Sequence, residues 1–72
     1  MRAKINLDTM SRINKFVAIC SKLNHKVNLI DGEQYCVSAK SLIGVVATLD
    51  WSEVYVECDH DIRSHIEEFL AE

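Results

Sequence analysis

Polar and apolar positions change period several times along the chain, and each change marks an element. Ala3, Ile5 and Leu7 alternate with Arg2, Lys4 and Asn6. A period of two predicts a strand with one buried face. Asp8 and Thr9 follow, and either side chain can accept a hydrogen bond from a first-turn N–H, so a helix is predicted to open there. Ile13, Phe16, Val17, Ile19, Cys20 and Leu23 then recur at three- and four-residue spacings, with Lys15 and Lys22 turned away from them. That is one apolar face of a helix ending at Asn24-His25.

Alternation returns with Val27 and Leu29 against Lys26 and Asn28, a second strand. Asp31-Gly32 is a strong turn signal, because glycine adopts positive φ at no steric cost. Tyr35, Val37 and Ala39 alternate with Cys36 and Ser38 as a third strand, which closes a β-hairpin whose turn Glu33-Gln34 widens. Ser41 opens a short helix that runs out at Thr48-Leu49-Asp50. In residues 52–58, Val54, Val56 and Cys58 face one way and Glu53, Tyr55 and Glu57 the other, a fourth strand. Asp59 or Asp61 is placed to cap a last helix, with Ile62, Ile66, Phe69 and Leu70 inward and Glu67, Glu68 and Glu72 outward.

The predicted order is β-α-β-β-α-β-α, a single domain over residues 1–72. The fold class is α+β, an open-faced α/β sandwich in which a four-stranded antiparallel sheet carries three helices on one face. Its outer sheet face would hold Lys4, Asn6, Asn28, Cys36, Ser38, Glu53, Tyr55 and Glu57, polar enough to stay wet.

Composition narrows the class. The 72 residues include no proline and two glycines, and 49% are hydrophobic, an ordinary share for a folded domain. A chain of this size buries only about 60% of its unfolded surface. No apolar run approaches the ~18 residues of a membrane span, and the first residues lack a signal-peptide core, so a cytoplasmic location away from membranes is expected. Cys20, Cys36 and Cys58 are an odd number without close spacing, which predicts buried, reduced thiols. The net charge of −3 conceals an asymmetry. Residues 1–30 carry six Lys/Arg and one acid, whereas residues 31–72 carry two bases and ten acids. An acidic chain argues against a nucleic-acid partner, and the two faces are expected to attract each other weakly.

Ala39-Lys40-Ser41-Leu42-Ile43-Gly44-Val45-Val46 is the most distinctive stretch. Its four large apolar residues are too many for one narrow buried stripe, and apolar residues left outside a core mark a partner site. With the element order on both sides, Ala39-Lys40-Ser41-Leu42-Ile43-Gly44-Val45 resembles the histidine-containing phosphocarrier protein (HPr) of the bacterial sugar phosphotransferase system. The resemblance extends to Ser21-Lys22-Leu23 and to the Asp31-Gly32 hairpin. It implies that Ser41 is a regulatory phosphorylation site and that Leu42, Ile43 and Val46 dock protein partners, phosphotransferase or regulatory proteins among them.

One departure separates the chain from that family. The family's carrier histidine opens the first helix, where this chain reads Leu7-Asp8-Thr9-Met10-Ser11-Arg12-Ile13. Counting back from Ser21-Lys22-Leu23 sets Thr9 at the histidine position and Ser11 at the position of a following arginine. A one-residue shift brings in Arg12. Neutral imidazole is nucleophilic near pH 7, whereas a threonine hydroxyl without a base is not. The expected function is therefore a monomeric, non-enzymatic protein-binding module. The alternatives are phosphoryl relay through another residue and self-association through the second helix.

The remaining constellations are weaker. Cys58-x-His60-x4-His65 has zinc-ligand residue types, but alternation turns Cys58 inward and no fourth ligand is evident, so no metal and no cofactor is expected. Asp59, His60 and Asp61 read as a surface capping cluster. Trp51 and Tyr55 could stack a ring, although Trp51 fits better as an anchor between the second helix and fourth strand. No serine lies in a nucleophile motif.

Overall fold

A computed structural model describes residues 1–32 and 34–71. Strands β1 (Arg2–Ile5), β2 (Val27–Ile30), β3 (Cys36–Ser38) and β4 (Val54–Cys58) form one antiparallel sheet in the order β1-β4-β2-β3. Helices α1 (Met10–Ser21) and α2 (Leu42–Ala47) are the two crossovers. Each joins parallel strands that have one antiparallel strand between them, so a helix is needed to return the chain. A short α3 (Arg63–Ile66) follows β4. Both α2 and α3 tighten into a final 3₁₀ turn, at Thr48–Asp50 and Glu67–Phe69. Among the described residues no helix is long and apolar enough to cross a membrane.

The register explains the amphipathic sheet. Leu29 lies opposite both Val37 and Val56, and Val56 lies opposite Ala3. That row, with Ile5, Val27, Val54 and Cys58, forms the floor of the core. Against it pack Ile13, Phe16 and Cys20 of α1, Val45 of α2, and Ile62, Ile66 and Phe69 around α3. All three helices therefore cover one face. The Phe16 and Phe69 rings meet edge to face, 5.2 Å apart at 84°, an arrangement favoured by their quadrupoles. The outer face carries Lys4, Asn28, Cys36, Ser38, Tyr55 and Glu57 as expected, with Arg2 and Ile30 in the same rows.

Several boundaries differ from the sequence pattern. β1 stops at Ile5, yet Leu7 is still buried. There the C-terminal segment takes over the strand edge: Asn6 N–H donates to the Phe69 carbonyl, Ala71 N–H donates to the Lys4 carbonyl, and Leu70 bridges to Ile5. This covers an edge that would otherwise present unpaired backbone groups. α1 ends at Ser21, before Asn24-His25. β3 begins only at Cys36, because Asp31 takes over the turn: its Oδ1 accepts from Gln34 N and Tyr35 N at 3.0 and 3.1 Å. Gly32 supplies the positive φ (+96°) that the turn needs. Glu33 and Glu72, assigned above to the widened turn and the outer face of the last helix, lie outside the described residues.

Cys20 and Cys58 are buried and free, but Cys36 is exposed on the sheet's outer face, contrary to the expectation of three buried thiols. Burial pushes the Cys20 thiol up to about 12, with Lys40 opposing the shift. The basic first third does meet the acidic remainder. Lys4 pairs with Glu53 at 3.4 Å and Lys15 with Glu68 at 2.9 Å, both exposed, so solvent screening leaves each with little weight in stability.

Candidate functional site

α2 is a helix of six residues, and its orientation follows from what its glycine permits. A Cβ on Gly44 would stand 3.2 Å from the Val37 Cβ, so the missing side chain lets α2 settle onto β3. With Gly44 against the sheet, Val45 is fully buried and Val46 is half-buried against the core. Leu42 and Ile43 are carried to the opposite side. Leu42 is 43% exposed and Ile43 is 87% exposed. Of the three residues expected to dock a partner, two thus face solvent, and Val46 is shared with the core.

The start of α2 is built by its polar residues. Ser41 is the N-cap in extended conformation, and its Oγ accepts from Gly44 N at 3.2 Å, which satisfies one first-turn donor. Ser41 is itself exposed. Lys40 N–H donates to Ser38 Oγ, and Lys40 Nζ donates to the Leu23 carbonyl at 2.7 Å. That last bond ties the start of α2 to the chain leaving α1. At its other end, Thr48 is buried and its hydroxyl donates to the Val45 carbonyl at 2.7 Å.

The start of α1 is assembled in the same manner. Thr9 is the N-cap, with Oγ1 accepting from Arg12 N at 3.2 Å. Asp8, the other capping candidate, instead pairs with the Arg12 guanidinium at 3.5 Å. Arg12 is a clasp between segments. Its guanidinium donates to the Asn6 and Glu68 carbonyls and lies 5.1 Å from the Phe69 ring centre. Ser11 is exposed. The group at the position of the family's histidine is therefore a hydroxyl already occupied as a cap, and the neighbouring cation is committed to carbonyl oxygens.

The two helix starts are not side by side. α1 and α2 run antiparallel, since each crossover serves strands of opposite direction. A surface cavity of about 450 Å³ is lined by Leu7 and Asp8 together with Thr48 and Leu49, so the start of α1 lies near the end of α2. Ser41, tied through Lys40 to Leu23, lies near the end of α1. Sequence spacing alone gave no sign of this separation.

The other singled-out residues are dispersed. Trp51 is half-buried against the core, consistent with an anchor, and its ring stacks near Tyr35 with centroids 6.2 Å apart. Tyr55 lies on the outer face and donates its hydroxyl to Glu53 at 2.9 Å; this bond holds Glu53 below the usual carboxylate range and raises the Tyr55 phenol. Asp61 Oδ1 accepts from Arg63 N at 3.1 Å, but the N-cap of α3 is Ile62, which makes no side-chain capping bond, so neither Asp59 nor Asp61 is the expected cap. Asp59 instead bonds His60 at 3.0 Å, which lowers the Asp59 pKa. Comparison with known proteins finds no family model, no curated protein and no solved structure that matches the chain.

Proposed function

We propose that this chain is an HPr-like module that binds a protein partner through α2 and does not relay phosphoryl groups. The observation that carries the reading is the exposure of Ile43 and Leu42 directly after an exposed capping serine. Ile43 is 87% exposed and Leu42 beside it 43% exposed, so α2 presents adjoining apolar side chains to solvent, which supports a partner surface. The element order and the Lys40–Val45 residues support the family part of the reading. Thr9 in place of a histidine, and Arg12 engaged with backbone carbonyls, support the loss of the relay.

Ser41 is the proposed switch. A phosphate there would set about two negative charges beside Leu42 and Ile43. Apolar docking would weaken as the charge is desolvated against a partner.

Three measurements test this. Incubation with phosphoenolpyruvate and the general phosphotransferase enzyme should leave no acid-labile phosphate on the chain; labelling would overturn the non-relay reading. Partner recovery by affinity capture should fall at least tenfold for Ile43→Asp and for Leu42→Asp, while circular dichroism stays native. Equal recovery would remove α2 from the interface. Sedimentation should give a concentration-independent monomer; a dimer abolished by Ile43→Asp would make the occupant a second copy.

A further inference from the structure

Away from α2, chemistry-bearing side chains gather at one end of the sheet, where β4 ends and β2 begins. Val27 lies opposite Cys58, so the residues just before β2 and just after β4 are neighbours. The His25 and His60 rings stack there with centroids 3.7 Å apart and planes 21° apart. Asp59 Oδ1 lies 3.0 Å from His60 Nδ1 and 3.9 Å from Cys58 Sγ. One ligand atom from each of Cys58, Asp59 and His60 falls within 4.8 Å of the other two.

Alternation correctly turns Cys58 to the inner face, where it is only 4% exposed. It is, however, the last residue of β4, and its sulfur still reaches the Asp59 carboxylate. A surface cavity of about 560 Å³ has Cys58 and Asp59 in its lining, along with Met1 and Lys26. Arg2, Asn28 and Glu57 of the outer sheet face complete that lining.

We propose that Cys58, Asp59 and His60 bind one zinc-type divalent cation, with His25 as a positioning residue for the His60 ring. The spacing fits. Tetrahedral zinc bonds of about 2.0–2.3 Å set ligand–ligand edges of about 3.3–3.7 Å; the two edges from Asp59, 3.0 and 3.9 Å, bracket that range, and the third, Cys58 to His60, is within 4.8 Å and closes by rotation of the exposed His60 side chain. The donor set fits as well. Thiolate, imidazole and carboxylate together suit a borderline-soft ion, whereas calcium and magnesium take oxygen ligands. Three protein donors leave a fourth position for water. On binding, the Cys58 S–H bond breaks and its proton passes to buffer; the neutral His60 ring gives up its Nδ1 proton to solvent and takes one at Nε2, so that Nδ1 and the Asp59 carboxylate exchange their hydrogen bond for two metal bonds. The His25 ring, flat against His60, fixes the plane in which the imidazole can offer its nitrogen.

The test uses the reduced full chain with Zn²⁺ by calorimetry and Co²⁺ as a spectroscopic probe. The expected result is one ion per chain, a near-ultraviolet thiolate-to-cobalt band and tetrahedral visible absorption. Asp59→Asn and His60→Ala, both at exposed positions, should each weaken Zn²⁺ at least tenfold with the fold intact. Cys58→Ser should abolish the thiolate band, and Cys36→Ser should leave it. His25→Ala should weaken binding about tenfold, and His25→Phe, which keeps a ring for stacking, should restore it. A cobalt spectrum with no thiolate band, affinity indifferent to His60→Ala and Asp59→Asn, or a band that follows Cys36 would overturn the site. A His25→Phe variant as weak as His25→Ala would overturn the positioning role.

Discussion

The two crossover helices use their apolar residues differently. α1 spends its residues on the core: Ile13, Phe16 and Cys20 have no exposure, and Val17 and Ile19 pack against them. α2 has four large apolar side chains in six residues but buries only Val45 completely. The difference is geometric. A twelve-residue helix turns several times over the sheet and can align a stripe with it. A helix of under two turns, seated on a glycine, presents one side to the sheet and must carry the rest outward. Apolar content therefore reports the core in α1 and the surface in α2, and substitutions on the two helices should separate these meanings.

The largest effect belongs to α1. Phe16→Ala removes a fully buried ring and its edge-to-face contact with Phe69, which should cost about 3–5 kcal/mol, much of the stability of a domain this small. Urea unfolding would show a lowered midpoint or a chain unfolded in buffer. A loss under about 1 kcal/mol would mean that α1 is not the anchor described.

Next is a pH dependence to which α1 contributes through Cys20, beside the raised Tyr55 phenol on β4. Cys20 ionises near 9.0 in an unfolded chain and about 12 in the fold. Below pH 9 both states keep the proton, and its contribution is constant. As pH rises from 9 toward 12, the unfolded chain loses the proton while the fold retains it, so stability falls by about 1.4 kcal/mol per pH unit. Unfolding curves at pH 8 and pH 10.5 should show a steeper decline for the natural chain than for Cys20→Ala. Parallel declines would detach Cys20 from alkaline instability.

The sheet and α1 were legible from sequence because their signals are periodic: burial on one face repeats every two residues, or every three to four. The inward set Ile5, Val27, Leu29, Val54 and Val56 follows directly from alternation. The bonds that end elements were less legible, since they depend on residues far apart. Leu70 closing the β1 edge, and Arg12 reaching the Glu68 carbonyl, join positions more than fifty residues apart. At the candidate site, Ser41 as a cap could be read locally. The division of Leu42, Ile43 and Val46 between solvent and core could not, because it depends on how closely Gly44 approaches Val37. The His25–His60 stack was hidden for the same reason, as its partners meet only through the β2–β4 register.

The caps sharpen the comparison further, since they are chemically alike. Thr9 and Ser41 each accept one N–H at 3.2 Å. Replacing either by alanine should cost about 1 kcal/mol. The losses should be distributed differently. Thr9→Ala frays the start of a helix that is held along its length by the core. Ser41→Ala loosens a six-residue helix whose start is otherwise held by the Lys40 bonds to Ser38 and Leu23 and which buries only Val45 completely. Amide exchange should therefore speed up across Gly44 and Val45 in Ser41→Ala, but only near Arg12 in Thr9→Ala. Equal spread in both would mean that α2 is as firmly anchored as α1.

The smallest effect on stability is the most informative about function. Ile43→Ala removes a side chain that is 87% exposed, and surface changes of this kind stay within about 0.5 kcal/mol. Alanine also has the higher helix propensity, so the unfolding midpoint should stay put or rise slightly. Set beside Phe16→Ala, this separates two uses of an apolar side chain: Phe16 holds the fold, whereas Ile43 is dispensable for it and carries only the proposed docking role. A destabilisation above about 1.5 kcal/mol would show that Ile43 is packed in solution after all, and the docking surface would have to be sought elsewhere.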